Sequence, residues 1–340
     1  MSPEQILIVS FLLITLIHGL LTTYPLAALW FWLKLLEMTL FIWWLRSHLR
    51  ATRHVLYAAL PLSILWQSVL ALAQWFKQSS IIGYWFLGEP AFNSTTPGIA
   101  TTSFLGALKV LPYGTTPHPN VLAGFLAISL GLIWFSSPSF RHPILTLSKY
   151  IATIIGLLTL FLTQSLSAWL SLTLIILFIG LKTFFITKKA QLLIIGLISL
   201  IYMLYATGYT LDFESFSRRY KLNLAALKIW ADHPLFGIGL NQFTASLPHY
   251  TQIEASTRFL QPVHNIYLLI LSETGLIGLV ILTAIFWKLF SIQRLAFSIP
   301  VIILLIIGLV DHYPLTLQTG QLLAVLSIGL FLSSPKLPAA

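Results

Sequence analysis

His264 is followed directly by Asn265, and three arginines, Arg218, Arg219 and Arg258, precede it in the same polar stretch. An imidazole suits proton transfer near neutral pH. A guanidinium offers a planar fork that matches phosphate oxygens. One proton-transfer group with two cations, Arg219 and Arg258, suits the breaking of a bond to a phosphate leaving group. The cations stabilise the departing charge while the imidazole takes a proton from an attacking hydroxyl. A second histidine, His118, stands between Pro117 and Pro119, ahead of Asn120. The two prolines restrict the backbone there, and Asn120 reads as the N-cap of the helix that follows. Between Arg219 and His264, the run Asp232-His233-Pro234-Leu235-Phe236-Gly237-Ile238-Gly239 breaks a helix and makes a tight turn. Its glycines permit positive φ or a close backbone approach.

The elements that must hold these residues are apolar. Of 340 residues, 57% are hydrophobic and 8% are charged, against about 25% charged in a soluble domain. A polar surface that small cannot cover so much apolar side chain. A disordered chain is excluded by the same numbers. A nucleic-acid binder is disfavoured because the basic residues are few and scattered. Cysteine is absent, which removes disulfides, thiolate nucleophiles and Cys-ligated metals. The chain therefore reads as an all-α, polytopic integral membrane protein, a single transmembrane domain over 1–340. Ten runs reach membrane-helix character, near 5–23, 25–45, 54–76, 120–137, 148–164, 166–187, 190–209, 264–287, 296–311 and 318–334. The first lacks a basic n-region and an A-x-A-like cleavage site, so it reads as a retained helix.

Basic residues set the orientation. Arg46, Arg50 and Arg53 mark a turn at 46–53. Arg141 and Lys149, then Lys182, Lys188 and Lys189, then Lys288 and Arg294, then Lys336, mark the next turns on the same side. Both termini are then cytoplasmic, and the segments 77–119 and 210–263 lie outside. The net charge of +10 becomes mainly a topology signal, since the outer face is nearly neutral. Within the second outer segment, 214–231 has helical spacing. Phe216, Tyr220, Leu224 and Leu227 share one face, with Arg218, Lys221 and Lys228 projecting away from it. This suits a helix lying on the membrane surface with its basic residues beside lipid headgroups. Arg219 differs. It sits at the edge of the apolar face near Asn223 and Trp230, and is the arginine expected to turn toward a cavity.

With these residues in place, the sequence resembles the O-antigen ligase and polymerase superfamily of bacterial envelope glycosyltransferases. The family pattern is carried here by His264-Asn265, nine residues, Gly275, two residues and Gly278. The block Ala231 to Gly239, continuing to Phe243, is similar to the upstream family element. His118-Pro119-Asn120-Val121-Leu122-Ala123 resembles a further one, and Arg219 matches the loop-helix arginine best, with Arg218 as the alternative register. The likeness spans roughly 115–310. One departure is Ser165-Leu166-Ser167-Ala168, where many members carry an arginine; Arg258 or another cation must then substitute. The resemblance implies a metal-independent, inverting transfer without a cofactor. The donor would be a glycan on undecaprenyl diphosphate in the outer leaflet of the bacterial cytoplasmic membrane, and the acceptor a hydroxyl on a lipid, glycan or protein. His264 would assist the acceptor hydroxyl, and Arg219 would engage the diphosphate. Arg258, Arg218, Asn265, His118 and Asn120 complete the expected substrate-binding set. The outer segments carry no acidic pair at ligand spacing and no His-x-x-x-His.

Asp311-His312, in the last external turn, reads as a polar wall or a solvated turn. Lys34 and Glu37 sit three apart, so they can pair on one helix face. Glu273 falls on the opposite helix face from His264, so a direct partnership is not expected. A secondary transporter or flippase for a lipid-linked or anionic substrate is the alternative. It would concentrate charge near the membrane midplane or show broken helices in pairs, whereas the polar constellation here is in one external loop. A non-catalytic scaffold would need no His-Asn element behind a basic helix.

Overall fold

The computed structural model describes residues 3–83, 88–136, 143–187, 190–210, 213–251, 261–290 and 295–333. In chain order the elements are α1 (Pro3–Leu20), α2 (Pro25–Lys77), β1 (Thr101–Phe104), β2 (Ala107–Val110), α3 (Pro119–Gly131), α4 (Pro143–Thr163), α5 (Leu166–Thr187), α6 (Gln191–Thr210), α7 (Phe213–Asp232), α8 (Phe243–Tyr250), α9 (Ile266–Phe290), α10 (Leu295–Gly308), α11 (Tyr313–Thr316) and α12 (Gln318–Leu332). The chain is mostly helical. Six stretches are long and apolar enough to cross a membrane: Pro3–Leu20, Pro25–His48, Val55–Lys77, Pro143–Thr163, Leu166–Phe185 and Ile266–Lys288. Among the described residues, shorter apolar helical stretches, Pro119–Phe135, Ser298–Gly308, Gln318–Leu332 and the Leu193–Tyr202 part of the 20-residue α6, coincide with the other four runs. Six of the ten expected runs are thus apolar helices of full membrane length among the described residues.

Two local expectations change. The basic stretch 46–53 continues as helix within the 53-residue α2. It contains neither Gly nor Pro, so nothing in it forbids helical dihedrals. The first outer segment is not wholly irregular either. Strands β1 and β2 pair antiparallel, Thr101 opposite Val110 and Phe104 opposite Ala107. Leu105 and Gly106, both at positive φ (51° and 81°), make the two-residue turn.

The outer segment is anchored to α2 by a buried polar knot. The Glu89 carboxylate accepts hydrogen bonds from Gln74 Nε2 (2.8 Å) and from the N–H groups of Ile81 (2.6 Å), Ile82 (2.8 Å) and Gly83 (3.0 Å). Gln74 Oε1 in turn accepts from the N–H of Tyr113 and Gly114. Burial pushes the Glu89 carboxyl up, but these donors outweigh it and hold it below the ordinary carboxylate value. Its contribution is present at neutral pH and is lost on acidification through that lowered value. Glu89→Gln replaces an acceptor by an amide whose NH2 group faces backbone donors. It should loosen segment 78–118 by about 2–3 kcal/mol, read as faster limited proteolysis there with the helical content unchanged.

The core forms where α2, α3, α4, α10 and α12 meet, around Tyr57, Ile64, Leu122, Leu126, Leu160, Ile303 and Tyr313. A smaller core lies under α7. Leu222, Ala225, Ala226 and Ile229 face Phe243 and Leu247 of α8, then Val263 and Leu269. This buried face is not the face that the apolar spacing picked out. Phe216, Tyr220, Leu224 and Leu227 stay exposed. The helix carries two apolar faces, and the small residues Ala225 and Ala226 let the protein pack closely against the second.

A break in α9 ties this outer layer to the membrane helices. Gly275 has φ 64° and ψ −167° inside the helix. The break frees the carbonyls of Ser272 and Glu273 and the N–H groups of Leu276 and Ile277, which would have bonded one another in a continuous helix. The loop after α7 takes up all four. Ile238 N–H donates to Ser272 O (3.0 Å) and Gly239 N–H to Glu273 O (2.9 Å). Leu276 N–H donates to Pro234 O (2.9 Å) and Ile277 N–H to Leu235 O (3.1 Å). Apolar surroundings make such pairing compulsory. A Cβ on Gly237 would overlap the Glu273 backbone, and one on Gly275 would overlap the Leu235 carbonyl. The Glu273 carboxylate finishes the joint by accepting from the N–H of Asn241 (2.9 Å) and Phe243 (3.1 Å), at the start of α8. Its partners are therefore in the loop rather than at His264.

Candidate functional site

The site forms where the start of α9, the N-terminal end of α3, the first half of α7 and the turn between α10 and α11 converge. The turn just past the end of α10 presents the carbonyls of Leu309 and Val310 to the site. Asn265 Nδ2 donates to Leu309 O (3.0 Å), and Arg219 Nη1 donates to Val310 O (2.9 Å). A cation at a helix C-terminus is favourable in its own right. The other end of the Asn265 amide caps α9, with Oδ1 accepting from the N–H of Tyr267 (2.9 Å) and Leu268 (3.0 Å). Both ends of Asn265 are thus used by the protein, and together they fix the residue beside it.

That residue is His264. Its Nε2 lies 3.1 Å from Gln261 Oε1. Its Nδ1 is buried and has no hydrogen-bond partner among the described residues. Asp311 Oδ1 stands 3.7 Å from Nδ1, an ion-pair distance and too long for a hydrogen bond. Asp311 is 5% exposed. Burial pushes its carboxyl up, but His264, His312 and Arg219 around it prevail and hold it low, so it is a carboxylate at neutral pH. Asn120 Nδ2 reaches its other oxygen at 3.4 Å.

His312 packs edge-on against the His264 ring, centroids 4.9 Å apart, and its Nδ1 is 2.6 Å from Thr316 Oγ1. Burial first, then the neighbouring His264, Arg219 and His118, push it down to about 4 against the pull of Asp311. It is therefore neutral at pH 7. Below about 6.5 the unfolded chain takes up this proton and the folded chain does not, so stability falls as pH drops from about 6.5 toward 4. The full effect is on the order of 3 kcal/mol. Replacing His312 by Gln should flatten the fall in melting temperature between pH 7 and pH 4.5; an unchanged slope would show that the loss arises elsewhere.

His118 corrects the capping expectation. The helix starts at Pro119, and His118 itself is the N-cap: its Nδ1 accepts the Asn120 N–H at 3.1 Å. Proline is suited to the first helical position because its fixed φ is already helical and it has no N–H to satisfy. The cap therefore falls two residues earlier, and the Asn120 side chain is left to reach Asp311. Burial lowers the His118 imidazole further than Asp311 raises it, with Arg219 and His264 adding to the lowering.

Of the expected residues, His264, Arg219, Asn265, His118 and Asn120 come together. Arg219 rather than Arg218 makes the bond to the Val310 carbonyl. Arg258 lies outside the described residues. Asp311 and His312, read in the sequence as a polar wall, are in the centre. The signal available was an Asp-His pair in the turn between two apolar runs. The donor atoms of His264, Asp311 and His312 lie within 4.8 Å of one another, a set that sequence spacing does not reveal. Arg219 at the same place adds positive charge, which opposes a cation and suits an anion.

The fold and site define a multi-pass membrane protein with a buried histidine–carboxylate pair and an arginine gathered at one end of its helices. Residues 151–283 match the family model described as O-antigen ligase, and this match supports the O-antigen ligase and polymerase superfamily. It runs from α4 into α9 and takes in Arg219, the 234–239 loop and His264; Asp311 and His118 lie beyond it. The family implies O-antigen ligase-like glycosyltransferase activity, with lipid-linked glycan and acceptor substrates in the membrane. The spanning helices and the family together suggest an inner-membrane, multi-pass protein. No curated protein matches the chain.

Proposed function

We propose that this protein transfers a glycan from a polyprenyl diphosphate, undecaprenyl diphosphate by the family likeness, to an acceptor hydroxyl at the outer face of the membrane. The observation that supports this most is the meeting of His264, Asp311 and Arg219 at one place. Nδ1 of His264 is buried beside a carboxylate, so Nε2 is the nitrogen left to take a proton once Gln261 gives way. The acceptor oxygen attacks the anomeric carbon, its proton passes to Nε2, and the bond from that carbon to the diphosphate oxygen breaks with inversion. The electron pair leaves on the diphosphate. Asp311 stabilises the imidazolium that forms, an ionic pairing worth most in a dry site. Arg219 spends one Nη on Val310, and that contact aims the rest of its fork at the departing diphosphate. Asn265 and Asn120 act as positioning residues, one on the start of α9 and one on Asp311. Arg258 is the candidate second cation, and His118, neutral with Nδ1 occupied, can donate from Nε2.

The test is reconstitution with a lipid-diphosphate glycan and a panel of lipid, glycan and protein acceptors. Release of polyprenyl diphosphate together with a glycosylated acceptor is the expected result. Movement of intact donor across the bilayer without release would favour the flippase reading. Arg219→Lys keeps the charge but loses the fork. It should lower donor use by roughly tenfold or more, equivalent to about one charge-assisted hydrogen bond, mainly through the KM for donor. A larger loss from Arg218→Lys would overturn the assignment.

A further inference from the structure

Helix α7 divides into four quadrants at about 100° per residue. Leu222, Ala225, Ala226 and Ile229 face the protein. Arg219 lies on the quadrant toward the site, with Asn223 and Trp230. Opposite the protein face, Phe216 (62% exposed), Tyr220 (57%), Leu224 and Leu227 form an uncovered apolar strip. Lys221 and Lys228, both exposed, border that strip roughly a quarter turn away. Four large apolar side chains in a row are a substantial area to leave in water.

The joint with α9 gives the level of this strip independently. The 234–239 loop bonds to α9 at Ser272, Glu273, Leu276 and Ile277, six to eleven residues past the start of the membrane stretch at Ile266. At 1.5 Å per residue that is roughly 9–16 Å along the helix. Just past the loop, Gln242 Nε2 donates to Tyr24 O (2.9 Å) in the turn between α1 and α2, so the C-terminal end of α7 is level with the end of α1, at the edge of the apolar helices. Leu235 and Phe236 in this loop are exposed at that level, and Phe236 lies 5.8 Å, centroid to centroid, from the His18 ring near the end of α1. Apolar residues left uncovered at the edge of the membrane helices meet lipid at the interface.

We infer that α7 is sunk in the outer leaflet, with Phe216, Tyr220, Leu224, Leu227, Leu235 and Phe236 among acyl chains and Lys221 and Lys228 on the phosphates of anionic lipids. This occupant is a phospholipid surface rather than a second protein, because the lysine border complements anionic headgroups and the contacts with α9 and the end of α1 hold the helix at the edge of the apolar helices. The inference stands apart from the proposed reaction. Its consequence is that Arg219, one quadrant from the lipid strip, meets a lipid-borne diphosphate at headgroup level, so a donor reaches it without leaving the leaflet.

Because the chain has no cysteine, single cysteines at 216, 220, 224, 227, 221 and 228 can each carry a nitroxide. The full chain is placed in vesicles of phosphatidylethanolamine and phosphatidylglycerol. Collision rates with oxygen, which concentrates in the bilayer, are compared with those of a water-soluble nickel chelate. The expected result is oxygen exceeding nickel several-fold at 216, 220, 224 and 227, and the reverse at 221 and 228. Nickel dominating at the four apolar positions would overturn the inference, as would low collision with both reagents there, which means that protein covers the strip. Each position is read separately, so one variant that fails to fold leaves the pattern measurable. The reading needs no activity, so it fails or holds independently of the transfer reaction.

Discussion

His264→Ala should abolish glycan transfer, a loss of at least about a hundredfold, while leaving the protein inserted and folded. Removing a positioned proton acceptor costs roughly 10²–10⁴ in rate. The fold should survive for a structural reason. His264 lies in the irregular segment just before α9, its Nδ1 has no hydrogen-bond partner among the described residues, and the cap of α9 is provided by Asn265. The measurement is polyprenyl diphosphate release by purified variant, beside its melting temperature. Normal turnover would sink the mechanism. A collapsed melting temperature would instead mean that His264 holds the outer layer together, and His264→Gln, closer in size, would then separate the two roles. If Asp311 acts through the imidazolium, Asp311→Asn should lower kcat and leave the donor KM nearly unchanged.

Gly275→Ala is the second large effect, and it acts on folding. The residue sits at φ 64°, a region that L residues adopt at a cost of about 1–2 kcal/mol. Its Cβ would also overlap the Leu235 carbonyl, which the Leu235–Ile277 bond holds in place. Relief requires the 234–239 loop to lift, and lifting it exposes four backbone groups in apolar surroundings. A destabilisation of about 3–5 kcal/mol is expected, in the range of other severe single changes. Gly98 is the internal control: it too has positive φ (73°), but a Cβ there meets nothing within 4 Å, so Gly98→Ala should cost only the backbone penalty of about 1–2 kcal/mol. Thermal melting in detergent or nanodiscs measures both. Equal effects would show that the break at Gly275 is not what joins the loop to α9.

Several features were legible before folding. The apolar runs were, because hydrophobicity and chain length alone decide which segments leave water. The spacing from His264 to Gly275 and Gly278 also survives in the structure, where it sets the distance from the start of α9 to its break. Glu273 was separated from His264 by helix periodicity, and its carboxylate indeed bonds Asn241 and Phe243. Other features were not legible. Apolar spacing on α7 found one face, but small alanines on another face carry the protein contact, and composition does not distinguish a lipid-facing strip from a protein-facing one. The cap of α3 was placed at Asn120 because Asn is a good cap. Pro119 began the helix earlier, and the histidine before it had a ring nitrogen at the right height.

The sequence alone thus determined an apolar helical chain with a polar loop holding a histidine and arginines, since those follow from local composition and spacing. The tertiary structure decided which groups share the site. Asp311 and His312 reach His264 because Asn265 and Arg219 hold the carbonyls of Leu309 and Val310, bonds between segments far apart in the chain. Unpaired carbonyls at the end of a membrane helix must find donors, and which donors they find depends on how the helices pack.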